Sequence, residues 1–87
     1  MRNVKNYFVT VNISLKDGVL DPQGRAVQSS LKGLGYIVEN MRIGKLITFE
    51  LEAEDDKQAK QRAAKMCETL LANTVIEDYN IEVSDKK

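Results

Sequence analysis

Along residues 4–15 apolar and polar side chains alternate, with Tyr7, Val9, Val11, Ile13 and Leu15 on one side and Asn6, Thr10, Asn12 and Ser14 on the other. A period of two is that of a strand with one face on a core. Phe8 interrupts the polar face. Lys16-Asp17-Gly18 then reads as a turn, and Asp21-Pro22 as a helix start. The carboxylate can accept from the first free backbone N–H groups, and proline at the first helical position has no N–H to leave unpaired. Val27, Leu31 and Leu34 follow at helical spacing, with Leu20 on the same side, and Gly35 supplies a helix stop. Gly24 and Gly33 each weaken this helix by about 1 kcal/mol relative to alanine, so its stability must come from packing.

Residues 36–42 form a second, ragged strand, Gly44-Lys45 a tight turn, and residues 46–54 the clearest strand of the chain. There Ile47, Phe49, Leu51 and Ala53 point one way, and Thr48, Glu50, Glu52 and Glu54 the other. The two strands are expected to pair as an antiparallel hairpin. A second helix spans 56–72, with Ala59, Ala63, Met66, Cys67, Leu70 and Leu71 on one stripe. Asp55 followed by Gln58 resembles a capping box, and Asn73 closes the far end. A last strand covers 75–83, where Val75, Tyr79, Ile81 and Val83 carry the apolar face, and residues 84–87 form a tail.

The resulting order is β-α-β-β-α-β. Right-handed crossovers and two helices with one apolar stripe each lead to an α+β, ferredoxin-like antiparallel sheet with both helices on one face. The opposite face then carries Phe8, Leu46 and Ile76, with Val4, among polar residues. Such a mixed surface favours association, and a small core gives a second reason to expect dimerisation.

At 87 residues and 9.8 kDa the chain is read as a single domain, residues 1–87. Thirteen Lys plus Arg balance thirteen Asp plus Glu. That balance weighs against a duplex nucleic-acid binder, which needs cations to displace condensed counterions. No apolar run approaches the ~18 residues of a membrane span, and no signal-type segment opens the chain, so a cytoplasmic protein is expected. The single cysteine, Cys67, cannot form an internal disulfide. Histidine is absent altogether. That removes Ser-His-Asp and Cys-His nucleophilic machinery, His-ligated zinc and the usual neutral-pH base from this chain.

Each remaining candidate has a structural alternative. Cys67 lies on the apolar stripe of the second helix, which favours a core thiol over a nucleophile. Gly33-Leu34-Gly35 ends a helix, whereas a phosphate-binding loop opens one. The acidic run Glu50, Glu52, Glu54, Asp55 and Asp56 lacks metal-ligand spacing and reads as a solvated face followed by a helix start. Two loops stay open to either reading. Asp21-Pro22-Gln23-Gly24 is either a helix cap alone or a cap that also presents a surface. Arg42-Ile43-Gly44-Lys45 is either a solvated turn or a pair of cations for a partner's carboxylate or phosphate.

At these loops the chain resembles a known family. Val19-Leu20-Asp21-Pro22-Gln23-Gly24 with Ala26-Val27, Leu34-Gly35-Tyr36, Arg42-Ile43-Gly44-Lys45, Cys67-Glu68, Leu70-Leu71-Ala72-Asn73 and Val75-Ile76-Glu77 are similar, in order and over nearly the whole chain, to the PurS subunits of phosphoribosylformylglycinamidine synthase. Thr74 departs from the pattern, standing where the family usually has proline.

The resemblance implies a small accessory subunit, without catalytic residues of its own, of a glutamine-dependent, ATP-consuming C–N ligase of purine biosynthesis. Its partners would be the synthetase (PurL) and glutaminase (PurQ) subunits, together with further copies of itself as a homodimer or homotetramer. ATP and magnesium would be used by the synthetase, so this chain needs no cofactor or metal. Asp21, Pro22, Gln23, Gly24, Arg42, Gly44 and Lys45 are the loop residues that would meet partners, since function tends to sit on loops carried by a rigid scaffold. An ACT-like regulatory domain shares the same element order and is the alternative. It would bind an amino acid unaided. An acylphosphatase-like enzyme needs an anion-cradling loop after the first strand, and Lys16-Asp17-Gly18 does not supply one.

Overall fold

The structure is a computed structural model and describes residues 4–85. Of the tail expected at 84–87, residues 84–85 belong instead to the last strand, and the remainder lies outside the described residues. The described residues form three strands, β1 (Lys5–Leu15), β2 (Lys45–Ala53) and β3 (Glu77–Asp85), with helices α1 (Pro22–Gly33) and α2 (Asp56–Met66). A π-helical turn, Cys67–Leu71, continues α2. The sheet order is β2-β1-β3, antiparallel throughout, with Val9 opposite both Phe49 and Val83. The longest alternating strand in the sequence is therefore the central one.

The period-two pattern places the core as expected. Tyr7, Val9, Val11 and Ile13 of β1 are buried against Ala59, Ala63 and Cys67 of the second helix. Small residues on α2 let its backbone approach the sheet closely, so the larger volume comes from the strand side chains. Ile47, Phe49 and Leu51 on β2, and Tyr79, Ile81 and Val83 on β3, face the same way but remain half-open. One helix is about 10 Å across, the width of about two strands at their usual spacing of about 4.8 Å. A single helix therefore leaves the flanks of a three-stranded sheet uncovered.

The helix caps form largely as expected. Asp21 accepts from the Gly24 N–H at 2.9 Å, and Asp55 accepts from the Gln58 N–H at 2.7 Å. The return arm of the capping box is displaced by one residue. Gln58 Oε1 takes the N–H of Glu54 at 2.8 Å, not that of the cap residue itself. At the end of α1, Gly35 has φ +98°. Its N–H bonds Lys32 O and that of Tyr36 bonds Leu31 O, both at 3.0 Å. These are the two bonds of a Schellman motif, and the positive φ is what glycine supplies there.

The antiparallel α+β sheet with two helices is the architecture found, but two particulars differ from the expected β-α-β-β-α-β arrangement. Residues 36–42 make no strand, so the expected hairpin with 46–54 does not form. Only α2 packs on the sheet, while α1 barely touches it. Instead residues 36–43 fold back along α1. The Met41 N–H donates to Gln28 Oε1 at 3.0 Å, and Lys32 pairs with Glu39 at 2.7 Å. Helix and returning segment together form an arm, residues 19–43, that projects from the sheet.

The physical reason is that a ragged apolar pattern specifies an extended segment without choosing its neighbour. The arm's apolar residues remain uncovered: Leu34 is 75% and Ile37 95% exposed. The radius of gyration is 17.0 Å, with extents of 60 × 29 × 14 Å; a compact chain of this length would have a radius near ~12 Å. On the sheet's other side Phe8 of β1 and Leu46 of β2 are exposed, as the sequence pattern predicts, and Val4 and Ile76, just outside the strands, are exposed as well.

Candidate loop interface

The two loops singled out in the sequence meet where the arm joins the sheet. Asp21 is 4% exposed. One of its oxygens caps α1 through Gly24, and the other accepts the Ile43 N–H at 2.9 Å. One carboxylate thus fastens both loops. The Gly24 N–H bond, then that of Ile43, hold its carboxyl below the usual carboxylate range against the opposing effect of burial, and Arg42 adds to this.

Arg42, though exposed, lies over backbone carbonyls. Nη1 donates to Val19 O at 3.1 Å, and Nη2 to Lys16 O at 3.2 Å and Leu15 O at 3.4 Å. The planar guanidinium can serve several acceptors at once, which an ammonium would not do with the same geometry. The Lys16-Asp17-Gly18 turn beneath it has its own bond from Val19 N–H to Lys16 O at 3.1 Å, and Gly18 sits at φ +85°.

The glycines explain why the chain can come so close. A Cβ on Gly24 would stand 2.5 Å from Met41 O and 2.8 Å from Asp21 Oδ2. On Gly44 it would stand 2.5 Å from Ile13 O. Both approaches involve backbone, so neither position admits a side chain without moving the chain.

Of the remaining predicted residues, Pro22 and Gln23 are exposed on the first turn of α1, and Lys45 is exposed at the start of β2. Lys45 Nζ lies 3.5 Å from Glu77 Oε2. Asp21, Pro22, Gln23, Gly44 and Lys45 line one cleft of about 350 Å³. Asp21 and Arg42 also border a second, wider hollow of about 630 Å³. Gln28, which the sequence did not single out, fastens the returning segment to α1. A polar residue on an amphipathic helix gives no sign of such a bond. Among the described residues, no group of three or more His, Cys, Asp or Glu side chains is placed to hold a metal ion, and no helix is long and apolar enough to cross a membrane. Cys67 is buried in the core, and burial pushes its thiol pKa up.

A three-stranded sheet half-covered by its own helix, a projecting apolar arm and a tightly fastened loop junction define a class of small α+β association domain. The features that set it apart are surfaces. The PurS family model, described as phosphoribosylformylglycinamidine (FGAM) synthase, matches residues 8–85. The PurS subunit of Synechocystis is 49% identical over 80 residues, covering 91% of this chain and 80% of that relative. The PurS crystal structure from Thermotoga maritima superposes with a TM-score of 0.85 at 30% identity, covering 93% of this chain and 94% of that one. A chain in the structure of PurLQS from the same organism gives 0.84 at 31% identity, covering 91% and 98%. The chain belongs to the PurS family, the small subunits of phosphoribosylformylglycinamidine synthase.

Proposed function

We propose that this chain is the accessory subunit that joins glutaminase and synthetase in the cytoplasm and supports passage of ammonia between them. The family assignment and the likeness to a chain of the PurLQS structure support this reading. The observation that carries it is the absence of histidine from the whole sequence together with the burial of Cys67. A glutaminase of the Cys-His kind therefore has no machinery here. The contribution left to this chain is positioning. Ammonia released into bulk water becomes non-nucleophilic ammonium, and holding two active sites together with water excluded avoids that loss. ATP and magnesium belong to the synthetase partner in this scheme. Pro22, Gln23 and Lys45, exposed at the loop junction, offer contacts to the larger subunits.

Self-association belongs to the same reading. The sheet lacks a second helix on its covered face, and α1 has an apolar stripe, with Leu20, Val27 and Leu34 exposed, that its own sheet does not use. A second copy of the chain has both the surface that is missing and the surface that is uncovered, so exchange of arms between copies would satisfy each. Burying those side chains would stabilise the assembly at roughly 25 cal/mol per Å² of apolar area.

The test is reconstitution. Purified chain is mixed with synthetase and glutaminase subunits, and product formation from glutamine is compared with that from free ammonia. Enhancement confined to the glutamine-driven reaction is expected. Equal rates with and without the chain would overturn the reading.

A further inference from the structure

The arm is fastened to the sheet at one place. From the sheet side, Leu15 and Lys16 offer carbonyls to Arg42 of the arm, while Asp21 ties the two sides of the arm to each other at its root through Gly24 and Ile43. Helix α1 adds almost nothing to this attachment, because its apolar stripe does not reach the sheet. The direction in which the arm projects is therefore set by the Arg42 bonds to the end of β1 and the close approach of Gly44 to Ile13, while Asp21 and the close approach of Gly24 to Met41 hold the two sides of the arm together at that root. A side chain bonded to its own chain's backbone is committed to holding the junction, even where, as with Arg42, it stays exposed. Both oxygens of Asp21 are used, and Arg42 donates to three carbonyls.

We propose that Asp21 and Arg42 are positioning residues: together they hold the arm at a single angle to the sheet, and that angle aligns the larger subunits, while direct contact falls to exposed neighbours such as Lys45. This rests on the proposed role as a joining subunit. It separates the loop residues into two groups with opposite kinetic signatures. Losing a contact weakens affinity, which more subunit restores. Losing the angle misaligns the two active sites even when every subunit is bound, and small misplacements of a reacting partner are costly.

The experiment titrates the intact chain and its variants into synthetase plus glutaminase. It reads the half-saturating concentration and the plateau rate, with glutamine and separately with ammonia. For Asp21→Asn and Arg42→Lys, a fall of roughly tenfold in the glutamine plateau is expected, with the ammonia rate unchanged. Arg42→Lys keeps the charge but loses the planar fork, so a role in charge contact predicts rescue where a role in positioning predicts none. Lys45→Ala should raise the half-saturating concentration and leave the plateau intact. Circular dichroism checks that each variant folds; should Asp21→Asn not fold, Arg42→Lys decides alone. The proposal is overturned by an undiminished plateau for Arg42→Lys, or by loss of the ammonia-driven rate along with the glutamine-driven one. If the unaltered chain gives no glutamine-specific enhancement, the subunit reading itself fails, which the variants alone would not produce.

Discussion

Tyr79 donates its phenolic proton to Glu68 Oε2 across 2.6 Å, joining β3 to the π-helical turn that continues α2. The bond uses the neutral phenol, so the carboxylate beside it pushes the Tyr79 pKa up to about 12, with desolvation acting in the same direction. A raised folded-state value means that the stabilisation is complete below the unfolded value of about 10 and is lost as pH rises through the folded one. Tyr79→Phe should therefore lower the urea midpoint at pH 8 and lose less stability than the parent chain between about pH 10 and the folded value of about 12. Parallel urea titrations at several alkaline pH values check this. Parallel curves for the two proteins would contradict it.

Asp21 has the opposite sign. Its folded-state pKa is lowered, chiefly by the Gly24 N–H and then by that of Ile43. Its stabilisation is present above the unfolded value of about 3.9 and is lost as pH falls through the folded value. The amide resonances of Gly24 and Ile43 should titrate together, with a shared midpoint below the ordinary aspartate range. In Asp21→Asn both titrations should vanish. Two different midpoints would mean that one carboxylate does not serve both loops.

Thr74 is the second residue of a turn in which the Ile76 N–H bonds Asn73 O at 3.0 Å. The Asn73 side chain also accepts from the Val75 N–H at 3.2 Å. The second position of such a turn favours proline, whose fixed φ matches it and whose missing N–H is not needed there. Thr74→Pro should stabilise the chain by about 0.4–1 kcal/mol, mainly by restricting the unfolded chain. Urea unfolding measures it, and a destabilised variant would show that the turn needs the threonine.

Leu34 and Ile37 lie at the far end of the arm, 75% and 95% exposed. If another copy covers them, Leu34→Lys with Ile37→Lys should lower the oligomer's mass in sedimentation while leaving the helical circular dichroism intact. An unchanged mass would place the self-association elsewhere. Because the substituted residues touch nothing in their own sheet, monomer folding is expected to cost no more than about 0.5 kcal/mol.

Much of the local structure is legible in the sequence because its causes are local. Alternation in 4–15 marks β1 and its buried face, and Asp21-Pro22 marks the start of α1. Gly35 marks its stop, and Asp55 the start of α2. Each depends on residues within one turn or on a repeating side-chain direction. The apolar stripe of the second helix predicts ordinary α-helix to its end, whereas the last turn winds as a π-turn that leaves the buried Cys67 in the core. Nothing in the five residues Cys67–Leu71 announces that change.

The loop junction is only half legible. Both segments stand out, yet their residues look alike as candidates for outward contact. The structure buries Asp21, lays the exposed Arg42 over backbone carbonyls of its own chain and leaves Lys45 at the surface beside Glu77. The cap from Asp21 to Gly24 is local, but the Ile43 N–H on its other oxygen and the carbonyls beneath Arg42 come from more than twenty residues away, and sequence spacing does not encode them.

Residue order alone was enough for strand faces, helix caps and the absence of histidine, because periodicity, capping and composition act at short range or need no geometry. Where α1 lies, what residues 36–42 pair with, and how the arm is held depended on the folded chain. Strand pairing and helix docking are choices among distant surfaces. If copies exchange arms, one of those competing surfaces lies on a neighbouring chain, beyond the reach of any pattern within a single sequence.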